Sequence, residues 1–268
     1  MQKQSQSKRG GQEENPESKR LTAPQIFNAV EQSAREELKR PSQPLAFSAV
    51  AGGITMGLTG LAVASVRAQI GNGGWQNFVS YLIYPVGFIA VIIGRAQLFT
   101  ENTLYPVVLV LDEHRHLLQT LRLWAIVFSC NVLGAALFAL LAVKTSALSP
   151  EIMSQLVGLG TEAVSSHTSH IFWSAVIGGW IIALVVWVVT ASHWTIGQLV
   201  MVWLLTFVVG VGKFAHCIAT SGEIISAVFS GALSATTYFH WLLAATLGNI
   251  LGGVIIVSVL NYGQVKEV

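Results

Sequence analysis

The sequence predicts an all-α membrane protein: six transmembrane helices in an inverted 3+3 repeat, with the second and fifth helices broken. Three observations carry that reading. Hydrophobic residues make up 53% of the chain and charged residues only 10%, with a mean hydropathy of +0.61; a soluble domain is about a quarter charged. Six apolar segments follow one another, each long enough for the roughly 20 residues that a spanning helix needs. Two of them, the middle segment of each half, are interrupted by polar and charged residues. Paired interruptions of that kind point to a site near the bilayer midplane. The 25 glycines and 8 tryptophans fit a helical bundle, since glycine is common in spanning helices and tryptophan at their interfaces.

Residues 1–23 are polar and too poor in apolar side chains to bury a core, so disorder is expected there. They lack the apolar centre of a signal peptide. Residues 24–43 predict an amphipathic cytoplasmic helix. Thr22 can cap it, Pro24 suits its first turn, and Ile26, Val30, Ala34 and Leu38 recur at helical spacing. Glu31, Arg35, Glu36 and Lys39 form its other face. Such a helix is either solvated or laid on the membrane surface.

The membrane domain is expected over about 44–262, with 263–268 as a cytoplasmic tail. Span 1 covers about 44–67 and carries Gly52, Gly53, Gly57 and Gly60, small residues that let helices approach closely. Span 2 covers about 77–99, is interrupted from Gly94 to Thr103, and resumes at Leu104. Span 3 covers about 118–143, span 4 about 169–191, span 5 about 196–229 and span 6 about 236–261. The cationic residues Lys3, Lys8, Arg9, Lys19, Arg20, Arg35, Lys39, Arg40, Arg115, Arg122 and Lys266 fall on one side, against Arg67 and Lys144 on the other. Positive residues favour the cytoplasm. Both termini are therefore expected inside the cell, with the 144–168 loop outside.

Span 5 is the centre of the argument. Its middle reads Gly210 to Glu223 and holds Lys213, His216 and Glu223 among three glycines. A charge at the bilayer centre costs about 2.5–3.5 kcal/mol on insertion scales. A broken helix is tolerated at membrane depth only where its backbone is buried in protein or lines a cavity. His216 at such a break is a candidate pore residue. An unperturbed imidazole titrates near pH 6.5; a neutral ring between apolar gates can donate a hydrogen bond, or a proton, to a passing anion. Leu98 and Phe99 beside the span 2 interruption, and Phe88 on that span, are candidate constrictions. Arg95 and Lys213 either pair with Glu101 and Glu223 or supply an anion-attracting field. His114 and His116 are expected in solvent. Cys130 and Cys217 are expected as small core residues, and Thr190, Ser192 and Ser221 as donors to backbone carbonyls.

These residues also resemble a known family. Gly94-x-x-x-Leu98-Phe99-Thr100-x-Asn102 is similar to the G-x-E-L-F-T-G-N segment of the formate/nitrite transporters. Phe214-x-His216-x-Ile218-Ala219 resembles their F-E-H-S-I-A-N, and Gly248-Asn249-x-x-Gly252-Gly253 their G-N-x-x-G-G. Trp124, Asn131 and Gly134 fit the third span, and the form of the first segment is most similar to the YfdC-like branch. The order agrees over about residues 25–262. The resemblance implies an aquaporin-like fold with a pore in each subunit of a homopentamer of the inner (plasma) membrane. It implies passage of small monovalent anions or their conjugate acids, such as formate or nitrite. It implies His216, Thr100 and Asn249 as pore residues and Leu98, Phe99 and Thr100 as the loop that breaks span 2. Gln97, Glu101, Ala215 and Thr220 depart from the family pattern, Gly179 stands where an asparagine is frequent, and Arg95 and Lys213 are added. The lysine expected near the start of span 4 has no clear match, with His167 and His170 nearby.

Other function classes are less well served. Ala219-Thr220-Ser221-Gly222 with His240 as base is a short echo of an intramembrane hydrolase. His167, His170 and His193 lie on opposite sides by this topology, so no metal site is expected, nor any cofactor or nucleic acid. Paired N-P-A segments of a neutral-solute pore are absent. A proton-coupled carrier of a weak acid uses the same histidine and is not separable from a channel by sequence.

Overall fold

The computed structural model describes residues 20–265. The expected disorder over 1–23 therefore falls, for residues 1–19, outside the described residues, as does Lys266. Within them the chain is helical, with no strand.

Helix α1 (Ala23–Lys39) begins at Thr22, whose amide donates to Gln25 Oε1 at 2.8 Å. Its apolar face of Ile26, Phe27, Val30, Ala34 and Leu38 is buried. That face is covered by protein, not by solvent or a bilayer surface: Leu104, Val108, Val186 and Val257 surround it, and Phe27 meets the Tyr262 ring at 6.1 Å. Two long helix pairs form the body. Helix α2 (Ser42–Ile70) packs along α6 (Leu117–Lys144), and α8 (Thr168–Thr190) along α11 (Ala235–Leu251). Past α11 the chain winds as a π-helix over Gly252–Val259 and ends in α12 (Leu260–Val265).

Between these pairs run the two interrupted segments. The first comprises α3 (Gly74–Tyr81), a turn through Pro85, α4 (Val86–Ile93), irregular backbone, a 3-10 turn at Glu101–Thr103, and α5 (Tyr105–Glu113). It breaks twice, once more than expected, because Pro85 lacks an amide hydrogen and cannot extend the helix from α3. The second comprises α9 (Thr195–Val211), irregular backbone and α10 (Ala219–Phe229). The stretch 144–168 is not an open loop. It holds α7 (Pro150–Ala163), capped by Ser149, whose Oγ accepts from Ile152 N. Leu156 and Leu159 of α7 are buried, and the helix packs on α10 and α2.

Among the described residues, five helical stretches are long and apolar enough to cross a membrane: Ser42–Ile70, Gly74–Ile93, Leu117–Lys144, Thr168–Thr190 and Ala235–Val265. The fifth span, expected to be broken, consists of two shorter apolar helices, Thr195–Val211 and Ala219–Phe229. One end of the bundle carries α1 and the start of α6, joined by Arg122 Nη2 donating to Arg40 O at 3.0 Å. The other end carries α7 and the end of α6, where Lys144 Nζ donates to Phe229 O at 2.8 Å.

Candidate functional site: paired helix breaks around His216

The two breaks are built alike. Helices α4 and α9 end at Gly94 and Gly212, and the next residue of each, Arg95 or Lys213, turns left-handed at φ 59° or 51°. A left-handed non-glycine residue costs roughly 1–2 kcal/mol, so both turns need support from their surroundings. Each chain then folds back, with Ala96 N donating to Val91 O and Phe214 N to Val209 O, both at 3.0 Å.

One asparagine holds each break. Asn131 Oδ1 accepts from Phe99 N at 2.8 Å, while its Nδ2 donates to Gln97 O at 2.9 Å and Ala49 O at 2.7 Å. Asn249 Oδ1 accepts from Cys217 N at 2.8 Å, and its Nδ2 donates to Ala215 O at 3.0 Å and Ala175 O at 2.7 Å. A serine completes each set: Gln97 N donates to Ser48 Oγ at 3.2 Å, and Ala215 N to Ser174 Oγ at 3.1 Å. The backbone freed by the breaks is thus paired inside the protein, as burial requires. Close helix approach makes the clamps possible. A Cβ on Gly53 would lie 2.1 Å from Asn131 O, and one on Gly179 2.2 Å from Asn249 O.

The breaks meet at His216. Its ring is fully buried. Its Nδ1 accepts from Ala219 N at 3.0 Å, and its Nε2 lies 2.8 Å from Thr100 Oγ1. With a backbone N–H at Nδ1, the neutral ring carries its proton on Nε2 and donates it to Thr100. Thr100 comes from the first break and His216 from the second, so this one bond joins the two halves of the chain.

The remaining candidates divide by position. Phe88 stands edge-on to the imidazole, ring centres 5.1 Å apart, and Tyr84 and Tyr81 continue an aromatic ladder behind it at 5.8 and 6.1 Å. Leu98 is fully buried in the first break. Phe99 turns toward α6 and packs on Trp124 and Phe128, at 5.8 and 5.0 Å. The Asn249 amide is fully engaged with backbone. Arg95 is exposed and has no carboxylate in salt-bridge range among the described residues. Glu101 starts the 3-10 turn.

Lys213 corrects an expectation: its ammonium pairs with Glu162 of α7, not with Glu223. Glu162 also receives Arg67 Nη1 at 3.3 Å, and Arg67 Nη2 donates to Tyr81 Oη at 3.2 Å. Burial would raise the Glu162 carboxyl, but the hydrogen bond and charge of Lys213, with those of Arg67, hold it below the usual carboxylate range. Glu223 is 8% exposed. These groups share a cavity of about 340 Å³, lined also by Tyr84, His170 and Trp241. His116, expected in solvent, lies 2.9 Å from Glu113 Oε2 through its Nε2. The serine and histidine of the hydrolase alternative stay apart in character: Ser221 is buried and donates to Cys217 O at 2.5 Å, whereas His240 is exposed.

Sequence reasoning gave Asn131 no role and did not single out Ser48, Ser174, Tyr81, Tyr84 or Glu162. The signal was there for some of them. Asn-x-Leu-Gly occurs at 131–134 and again at 249–252, each pair one span after a Gly-basic dipeptide at 94–95 and 212–213.

Residues 24–263, nearly the whole length, match the formate/nitrite transporter family. The chain belongs to this family. Among its relatives, the inner membrane protein YfdC of Escherichia coli is 30% identical over 245 residues, covering 90% of this chain and 78% of that protein. A probable formate transporter of Methanothermobacter thermautotrophicus is 29% identical over 230 residues, 79% of this chain and 84% of the relative. Of solved structures, an FNT family ion channel superposes with a TM-score of 0.79 at 20% identity, covering 90% of this chain and 98% of the other. A pentameric formate channel with formate bound gives 0.67 at 15% identity, over 87% and 97%. The family's fold is thus shared across a multi-pass membrane protein, and its relatives are transporters and channels.

Proposed function

We propose that the chain is a six-span, inverted-repeat permease for a small monovalent anion or its conjugate weak acid, formate or nitrite in type, working as a homopentamer in the inner membrane with both termini cytoplasmic. The carrying observation is the bond between Thr100 and His216, which closes two matching helix breaks on each other deep in the protein. The duplicated clamps of Asn131 and Asn249 support the inverted repeat, since one set of bonds serves each half. The likeness to a solved pentameric formate channel with formate bound supports the permeant class and the assembly. In this reading Phe88 and Leu98 form the apolar constriction and Phe99 backs it from the α6 side. His216 donates from Nε2 to the permeant when the permeant displaces Thr100.

A second reading, a proton-coupled carrier, draws on the complete enclosure of the imidazole beneath Phe88. An enclosed ring that trades a proton once per cycle gates once per cycle.

The test is formate and nitrite flux into proteoliposomes at stepped pH. His216→Asn is expected to keep the fold and flatten the pH dependence; an unchanged profile removes His216 from the pathway. Saturation with fixed proton stoichiometry selects the carrier.

A further inference from the structure

Lys213 lies three residues before His216 and is the one lysine or arginine among the described residues lining the cavity at the α7 end. Its ammonium is held by a carboxylate of the chain itself, that of Glu162. Helix α7 is built to place this group. Gly160 brings α7 against α10, where a Cβ would lie 2.3 Å from Glu223 O, and the buried Leu156 and Leu159 anchor the helix. Glu162 follows in the last turn and also receives Arg67 Nη1 at 3.3 Å. The Lys213 side of this arrangement is open and the Arg67 side is not: the Lys213 side chain is 49% exposed and that of Glu162 40%, against 4% for Arg67.

The fixed charges leave one surplus positive. Arg67 and Lys213 stand against Glu162. Glu223 is 8% exposed, lines the cavity, and has no hydrogen bond or ion pair among the described residues. An ionised carboxylate enclosed in that way is costly, so Glu223 stands as the neutral acid. A single entering anion therefore balances the cavity and needs no proton with it.

We propose that Glu162 is a tethered competitor: its carboxylate occupies the place at Lys213 that a small carboxylate permeant takes, and so sets how tightly the cavity holds that permeant. The inference rests on the permease reading and gives it a binding station and a residue that tunes affinity. The chain itself shows the chemistry this place accepts, a carboxylate on an ammonium. The permeant displaces Glu162 from Lys213, and the displaced carboxylate keeps Arg67. No covalent bond changes. Conduction needs a site that releases its ion as well as binding it, and an internal carboxylate ready to return to Lys213 speeds release. Both members of the pair are nearly half exposed, so water screens it. The competitor therefore raises the half-saturating concentration by no more than about fivefold, equivalent to about 1 kcal/mol.

The experiment uses the whole protein, purified in detergent at neutral pH, with labelled formate as the probe and binding followed by NMR titration. Glu162→Gln is expected to lower the half-saturating formate concentration about three- to fivefold. Glu162→Asp, one methylene shorter, is expected to fall between it and the wild type. Lys213→Gln is expected to weaken binding several-fold. In that background Glu162→Gln is expected to change nothing, since the competitor has lost its target. Detergent melting checks that each variant is folded; if Glu162→Gln is not, the shift in Glu162→Asp makes the same test. Unchanged or weaker formate binding by a folded Glu162 variant overturns the proposal. So does equal tightening with and without Lys213, which marks a general field and not competition. The same proteins are reconstituted for flux. Wild-type flux with binding indifferent to Glu162 leaves the permease reading standing alone; absence of both binding and flux removes both.

Discussion

Asn131 and Asn249 illustrate how a polar residue in a span can be structural while looking functional. Each is fully buried and bonds to an amide and a carbonyl of its own break, and through its second N–H to a carbonyl of a neighbouring continuous helix, Ala49 O of α2 or Ala175 O of α8. Asn249 reads as a pore residue in sequence because its partners, Ala175 and Ala215, are 74 and 34 residues away; no local pattern reveals where its amide points. His216 stands out in sequence because an imidazole interrupts an otherwise apolar run, but that both breaks meet at it through Thr100 is seen only in three dimensions. Removing a partner from a buried donor or acceptor costs about 1–3 kcal/mol, and each asparagine satisfies two such groups of its break, an amide and a carbonyl. Asn131→Ala and Asn249→Ala are therefore each expected to destabilise by at least about 2 kcal/mol, seen as a large fall in detergent melting temperature and loss of the monodisperse peak. His216→Ala, which strands only Thr100 and Ala219 N, is expected to fall less. Equal melting of wild type and Asn249→Ala would falsify the clamp.

At the scale of elements, the body of the bundle was readable from hydropathy, and the short helices that cover its ends were not. Helix α7 lies in a stretch of mixed polarity where Ser149-Pro150-Glu151 is the only start signal, and its buried Leu156 and Leu159 acquire meaning only against α10. The amphipathic pattern of α1 was plain, but the pattern alone does not say whether water, lipid or protein meets the apolar face. The structure answers with α5, α8 and the C-terminal helix. Phe27→Ala, at a position with no exposure, is expected to cost about 3–5 kcal/mol and to undock α1, which limited proteolysis near residue 40 would detect. Polar groups fasten the same helix. Glu113 at the end of α5 binds His116 at 2.9 Å and also pairs with Arg35 of α1. Hydrogen bonds from His116 and then Arg35 hold its carboxyl below the ordinary value of 4.5. A carboxyl lowered in the folded state contributes stability that is complete above its unfolded pKa and is lost as pH falls through the folded one. Docking of α1 is thus expected to hold from neutrality to about pH 4.5 and to loosen below it. Hydrogen exchange of α1 amides reads this directly. Glu113→Gln should exchange faster at pH 7 and show little further change in acid.

For the whole molecule, the deciding feature is duplication. Gly94-Arg95 and Gly212-Lys213 turn the chain alike, Ser48 and Ser174 accept equivalent amides, and Asn131 and Asn249 clamp equivalent loops. The two breaks contribute unlike side chains at the meeting point, Thr100 from one and His216 from the other, so two similarly built breaks produce an asymmetric centre. That centre is complete within one chain. No residue of a second copy is needed to join Thr100 to His216, to seat Phe88 on the imidazole, or to line the α7-side cavity. If copies assemble as a ring, each therefore brings its own path, and the ring supplies burial for the exposed leucines of α6 and α11, such as Leu137, Leu141 and Leu243. The consequence is measurable. Wild-type and His216→Asn subunits, mixed before assembly and reconstituted together, should give flux at neutral pH that falls in proportion to the variant fraction. With half the subunits replaced, independent paths retain about half of the difference between the two pure proteins, whereas a ring that works only with all five sites intact retains about 3%. A steep loss on mixing would place the pathway between subunits and leave the Thr100–His216 bond as a structural tie.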